Sequence, residues 1–251
     1  MVKNRGGQKG YWVIGRHAVM AVLRHQQKRV RALWVSNQDK YPDIIKQSMV
    51  KLHRCSDDDL TDLVGTDAHQ GVAAECEPPS FSLDSLHTLI EKRGDQFLML
   101  VLDKIHDPSN LGACLRTALA MGVDAVVLSK QSCAAITPVV TKTSCGASEI
   151  MPIVTVSNLV QAIKKWQDIG VWFFATSEHA NQSIYAMDHT PLAKALVMGN
   201  EQVGVGKLLL KTCDYQMVIP TSSLMPSLNV SVATAIALSE MTRNKHLKTE
   251  K

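Results

Sequence analysis

The chain holds 251 residues with a formal net charge of +4, of which 45% are apolar and 20% charged. That balance describes a folded chain with a sizeable core, in one large or two modest domains. It excludes several classes. No apolar run reaches the roughly 18–20 residues of a membrane-spanning helix, and the basic N-terminus lacks the apolar stretch of a secretory signal. The six cysteines (Cys55, Cys76, Cys114, Cys133, Cys145, Cys213) contain no C-x-x-C pair. A metal site or disulfide framework therefore has no support, and a reducing cytoplasm suits the chain.

Residues 1–10 are basic and Gly-rich and read as a flexible arm. Residues 1–31 carry eight Lys or Arg and no Asp or Glu. Such a block suits the phosphates of a polyanionic partner or a solvated tail and helix face equally well. From Tyr11 to Cys76 the pattern is that of a small αβ domain. It predicts a helix over 15–23, a strand over 32–35, a helix over 41–51, a helix from Ser56 to Leu63 opened by a capping box with Asp59, and a strand over 71–76. Glu77-Pro-Pro-Ser then breaks both helix and strand, so the linker is placed at 77–84 and a second domain at 85–251. Its first strand, over 97–102, is apolar throughout, as a strand buried on both faces of a parallel sheet must be. There follow a helix over 109–121, a strand over 125–128, a helix over 159–168, strands over 171–175, 195–198 and 216–219, and a helix over 230–244. The class is α/β with a mostly parallel sheet.

Three segments sit where such a sheet collects ligands, at the end of a strand and the start of a helix. The first runs from Asn110 to Arg116, after an Asp107-Pro108 turn; Gly112 allows close approach there, and Arg116 offers the planar fork suited to phosphate. The second is Gly199-Asn200-Glu201. The third is Ser227-Leu228-Asn229-Val230-Ser231, whose Ser and Asn also suit a plain helix cap. Competing chemistries fail on spacing. A P-loop ending at Lys207 would need Gly at 201 and Ser or Thr at 208, where Glu201 and Leu208 stand. No G-x-G-x-x-G follows a strand, and no G-x-S-x-G elbow occurs. His69 and His106 lack partners at a spacing that would favour them as bases.

Together the three segments resemble the signature of the SpoU (TrmH-like) family of RNA ribose methyltransferases. Leu102 to Ala118 is similar to its first motif, Leu196 to Glu201 to its second, and Ile219-Pro220 through Ser227 to Ala233 to its third. Ile14-Gly-Arg-His-Ala-Val and His69-Gln-Gly-Val resemble the RNA-binding domain fused to members that methylate a guanosine ribose of 23S ribosomal RNA. The resemblance implies a C-terminal trefoil-knotted domain, S-adenosylmethionine as methyl donor, and a homodimer whose active site joins both subunits. By motif position it implies Asn110, Arg116, Glu201, Ser227 and Asn229 as the catalytic group, and Gly199, Ile219 and Leu228 as the adenosine pocket. In the family Arg116 is the activator of the ribose hydroxyl. A guanidinium with a pKa above ~12 is a poor base near neutrality, so a phosphate-gripping role is preferred for it. The chain departs from the pattern where Ser223 replaces a usual Gly and Pro226 precedes Ser227. Two alternatives stay open: the same chemistry on transfer RNA, and a non-catalytic RNA-binding assembly factor.

Overall fold

A computed structural model describes residues 10–37, 40–187, 192–225 and 227–246. Apart from Gly10, the basic arm expected over residues 1–10 lies outside them, and so does Pro226. The chain divides into two compact units, Met1–Ser80 and Phe81–Lys251.

In the first unit the elements are β1 (Tyr11–Ile14), α1 (Arg16–His25), β2 (Val30–Val35), α2 (Pro42–Gln47), β3 (Lys51–Arg54), α3 (Asp57–Val64) and β4 (Val72–Cys76). The sheet order is β1-β4-β2-β3, with β2 and β3 parallel and the other pairings antiparallel. Alternation along the strands decides which side chains face which helices. Val13, Leu33, Val35, Val72 and Ala74 share a cluster with α1 and α2, whereas Ile14 and Ala73 meet Leu60 of α3. The capping box is present: the Ser56 side chain accepts from the Asp59 amide and Asp59 reaches back to the Ser56 amide. The helix expected through Lys51 stops at Gln47, and Lys51–Arg54 is an edge strand. With one apolar residue in four, that strand carries no alternation strong enough to read. The basic block is partly spent inside the unit. Arg16 pairs with Asp43 at 3.0 Å, and Arg31 with Glu77 at 3.3 Å. Both pairs are exposed and contribute little to stability.

The second unit contains α4 (Leu83–Arg93), β5 (Leu98–Leu102), α5 (Pro108–Ala120), β6 (Ala125–Ser129), α6 (Pro138–Thr143), α7 (Ala147–Ile150), β7 (Ile153–Val156), α8 (Leu159–Gln167), β8 (Trp172–Thr176), β9 (Gln182–Ser183), β10 (Lys194–Met198), α9 (Lys207–Thr212), β11 (Tyr215–Val218) and α10 (Val230–His246). The sheet order is β7-β6-β5-β10-β8-β11-β9, and every pairing is parallel. The continuous apolar run of β5 feeds two cores. Leu98, Leu100 and Leu102 enter the cluster shared with α5 and α10, while Met99 and Val101 enter the one shared with α4 and α8. Burying such side chains contributes roughly 1.5–3 kcal/mol each, which keeps β5 in the interior of the sheet, beside the central β10.

Because all strands run the same way, their C-terminal ends meet one edge. β5 and β10 finish level, Leu102 opposite Met198, and the Asp103 amide donates to the Met198 carbonyl at 2.9 Å. β11 lies two strands beyond β10. Gly112 is the point where α5 meets α6: a Cβ there would stand 2.7 Å from the Thr143 Cβ and 3.1 Å from the Val140 carbonyl oxygen.

Candidate active site

Three loops converge at the C-terminal edge of the large sheet, and each brings one polar side chain. α5 starts at Pro108, with the Asp107 carboxylate accepting from the Ser109 amide at 2.9 Å. Proline suits this position because its missing N–H would have no helical partner. The start places Asn110 in the first turn, facing the loop after β10. That loop is folded back on itself: the Gly204 amide donates to the Asn200 carbonyl at 2.8 Å. Asn200 also donates through Nδ2 to the Lys104 carbonyl at 3.1 Å, and its Oδ1 accepts from the Gln202 amide at 2.8 Å. The buried carboxylate of Asp103 holds the far side of the loop by accepting from the Gly206 amide at 3.1 Å. Glu201 therefore projects from a tethered turn.

Glu201 Oε1 accepts three hydrogen bonds, from Asn110 Nδ2 at 2.8 Å, Asn229 Nδ2 at 2.7 Å and the Val230 amide at 3.2 Å. The last donor belongs to the open end of α10, where a carboxylate is favoured by unpaired N–H groups and the helix dipole. Asn229 serves two purposes. Its Oδ1 caps α10 by accepting from the Ser231 amide at 2.9 Å and the Ser231 hydroxyl at 2.6 Å. Its Nδ2 is thereby turned towards Glu201 and towards Asn110 Oδ1, which it meets at 2.9 Å. The capping reading of Asn229 is correct and accounts for half of the side chain. The other half closes a ring with Asn110 and Glu201.

The five catalytic candidates thus separate. Asn110, Glu201 and Asn229 are hydrogen-bonded to one another. Arg116 and Ser227 are exposed and have no hydrogen-bond or ion-pair partner among the described residues. A cavity of about 240 Å³ lies beside the ring, walled in part by Asp107, Asn110, Glu201 and Val230. Sequence reasoning passed over Asn200 and Ser231, the residues that aim Glu201 and Asn229. Both stand inside the quoted motifs, but nothing in their spacing sets them apart from ordinary turn residues.

The cofactor-pocket candidates share a different property. Gly199 is buried, Ile219 and Leu228 are half-buried, and none of the three has a backbone hydrogen bond to another described residue. Buried backbone N–H and C=O groups are rarely left unpaired, so free ones at a sheet edge fit a ligand read by backbone contacts, such as an adenosine. Ile219 packs on the core shared with α5 and α10 and offers an apolar wall. The close approach at Gly199 is made by the chain itself: a Cβ there would collide with the backbone of Gly204 and Val205. Among the described residues no cluster of His, Cys, Asp or Glu could hold a metal ion, and no helix is long and apolar enough to cross a membrane. Burial pushes the Cys114 thiol up to about 11 and the Cys213 thiol up to about 12.

Residues 97–239 match the model of the SpoU rRNA Methylase family, and residues 12–82 match that of the RNA 2'-O ribose methyltransferase substrate-binding domain. The chain is 38% identical over 244 residues to the 23S rRNA (guanosine-2'-O-)-methyltransferase RlmB of Pseudomonas putida, covering 94% of this chain and 97% of that protein. The RlmB protein of Ralstonia nicotianae is also 38% identical, over 94% of this chain and 97% of its own length. Among solved structures, the SpoU methyltransferase AviRb from Streptomyces viridochromogenes superposes with a TM-score of 0.78 at 22% identity, covering 96% of this chain and 91% of AviRb. Its complex with the cofactor AdoMet superposes with a TM-score of 0.76, at 22% identity and over 95% of this chain and 91% of AviRb.

Proposed function

The chain belongs to the SpoU rRNA Methylase family, and from that membership we infer that the ring of Asn110, Glu201 and Asn229, with Arg116 and Ser227, is its catalytic centre. The reaction is S-adenosylmethionine-dependent 2′-O-methylation of a guanosine in 23S ribosomal RNA. When bound, the cofactor supplies an electrophilic sulfonium methyl group. The residues of the chain have the remaining tasks: to hold the ribose in line with that methyl and to accommodate the departing hydroxyl proton.

The observation that carries this reading is the triple hydrogen bond to Glu201 Oε1. It locks three loops from three strand ends into one arrangement before any substrate arrives, which is the preorganisation a weak nucleophile requires. The second carboxylate oxygen of Glu201 accepts no hydrogen bond from a described residue and is available to the ribose. Gly199, Ile219 and Leu228 offer their free backbone groups to the adenosine. Arg116, solvent-facing and unpartnered among the described residues, suits the phosphate next to the target ribose.

Arg116 also supports a homodimer with an active site at the subunit interface. α5 packs along α10, and each presents an apolar side chain to solvent, Leu119 at 37% and Val232 at 47% exposure. A second copy laid over these helices would cover the apolar residues and set Arg116 against the partner's loops. Mixing tests this. Arg116→Ala and Glu201→Ala are each expected to be inactive on 23S ribosomal RNA with methyl-labelled S-adenosylmethionine. Their mixture regains about a quarter of wild-type label if each site draws Arg116 and Glu201 from different subunits, as random pairing gives half heterodimers with one intact site of two. A monomer in sedimentation, or a mixture as inactive as its parts, rejects the shared site. Label on transfer RNA and none on 23S ribosomal RNA would overturn the substrate.

A further inference from the structure

We propose that Trp34 and His53, side by side on the N-terminal sheet, form a stacking platform for an unpaired base of the substrate RNA. The proposal rests on the chain being an RNA methyltransferase and adds a binding surface to it. Trp34 on β2 stands opposite His53 on β3 in the parallel register. Their rings are stacked, with centroids 4.2 Å apart and planes within 11°. Trp12 of β1 meets Trp34 from the other side, edge-on, at 6.2 Å and 71°. Trp12 and Trp34 rest on the small apolar cluster beneath α3. His53 is half-buried. It ends the row on an edge strand, and no second described ring covers its outer face.

Packing alone does not account for this arrangement. The Trp34 indole N–H is buried and has no acceptor among the described residues. A phenyl or leucyl side chain would fill the same space without leaving a polar group unpaired. What the indole adds is a wide π face, which it uses to hold His53 parallel to itself. Lys51, exposed, lies on the same face two residues before His53, and the aspartates of α3 (Asp57, Asp58, Asp59 and Asp62) follow β3 in the chain. The only acidic residue within the four strands, Glu75, sits at the Trp12 end. A flat aromatic ring at a sheet edge, with one lysine beside it, is what an unpaired base fits, since every base offers a π face whatever its identity. A duplex keeps its bases stacked on one another and cannot use such a ring.

The full-length protein tests this by anisotropy with a fluorescein-labelled unstructured 12-nucleotide RNA and an abasic strand of equal length. The base-bearing strand should bind more tightly. His53→Ala should weaken its binding roughly tenfold, the effect of losing one base stack, and leave binding of the abasic strand unchanged. His53→Phe should restore it. The platform is overturned if His53→Ala binds as wild type, if it loses both strands equally, or if His53→Phe is as weak as alanine. Methyl transfer to 23S ribosomal RNA by the same wild-type preparation is a separate readout. Its absence would refute the enzyme reading, whereas a normal rate with an indifferent His53 would refute only the platform.

Discussion

Asn229 Nδ2 stands 2.7 Å from Glu201 Oε1 while its own Oδ1 caps the last helix through Ser231. One side chain thus ties the register of α10 to the position of the site carboxylate. An amide suits both duties in so short a reach, since it carries a donor and an acceptor on the same carbon.

Asn229→Asp separates the two duties. Aspartate is as good a cap, so α10 should keep its start. The donor is lost, however, and a second carboxylate is set against Glu201. Methyl transfer should fall by about 10–100-fold, the equivalent of roughly 1.5–3 kcal/mol for a hydrogen bond to a charged group. The melting temperature should fall only slightly. Single-turnover methylation and thermal unfolding on one preparation decide it, and a variant of near-normal rate would remove Asn229 from the machinery.

Arg116 calls for the opposite profile. Its side chain is exposed and makes no hydrogen bond or ion pair with a described residue, so Arg116→Ala should leave stability within about 0.5 kcal/mol of wild type. Activity should fall at least ~100-fold through loss of its interactions with substrate. Arg116→Lys should stay well below wild type, because an ammonium cannot reproduce the bidentate fork. A lysine variant with near-normal turnover would show that charge alone suffices.

Gly199→Ala drives a methyl group into the backbone of Gly204 and Val205. Backbone cannot rotate away as a flexible side chain would, so a loss of at least about 2 kcal/mol is expected. Binding of S-adenosylmethionine, followed by calorimetry, should fall with it as the loop is displaced. Unchanged melting and unchanged binding together would show that the turn relaxes freely.

The buried thiols set a limit on alkaline stability. The Cys114 thiol is held up to about 11 and the Cys213 thiol up to about 12, both chiefly by burial. Unfolding releases them to the ordinary cysteine pKa near ~8.5, where they lose protons that the folded chain retains. Their contribution to stability is therefore complete below about pH 8.5 and declines as pH rises towards the folded-state values. Urea midpoints measured from pH 8 to 11 should fall less steeply for Cys114→Ala and Cys213→Ala than for wild type. Both thiols should resist iodoacetamide at pH 8 until the protein is unfolded.

The large sheet was legible because its strands are buried on both faces. Phe97 to Leu102 and Ala195 to Met198 leave no other place for so many adjacent apolar residues. The helix expected over 159–168 is present and ends at Gln167, with Asn158 as its cap. Elements without a periodic signal were missed. These include β3, the short α6, α7 and α9, and the edge strand β7; α4 was missed too, although Leu83, Leu86, Leu89 and Ile90 stand at helical spacing. At the site, motif resemblance singled out Asn110, Glu201 and Asn229. It could not show that one carboxylate oxygen gathers all three donors, since that depends on two strand ends being level and a third lying two strands away. The tethers Asn200 and Ser231 act through geometry that no residue-type pattern records.

The loop that carries Glu201 is closed by the Gly204 amide on the Asn200 carbonyl, with Gly199 packed beneath the far side of the turn. Its length is consequently a property of the site. One residue added between Asn200 and Gly204 would lift the turn off Gly199 and carry the carboxylate away from both asparagines, without altering any catalytic side chain. Surface loops in general absorb insertions at small cost. This one behaves as a calibrated spacer, and change in the chain is expected to pass through residue identity elsewhere before it passes through residue number here.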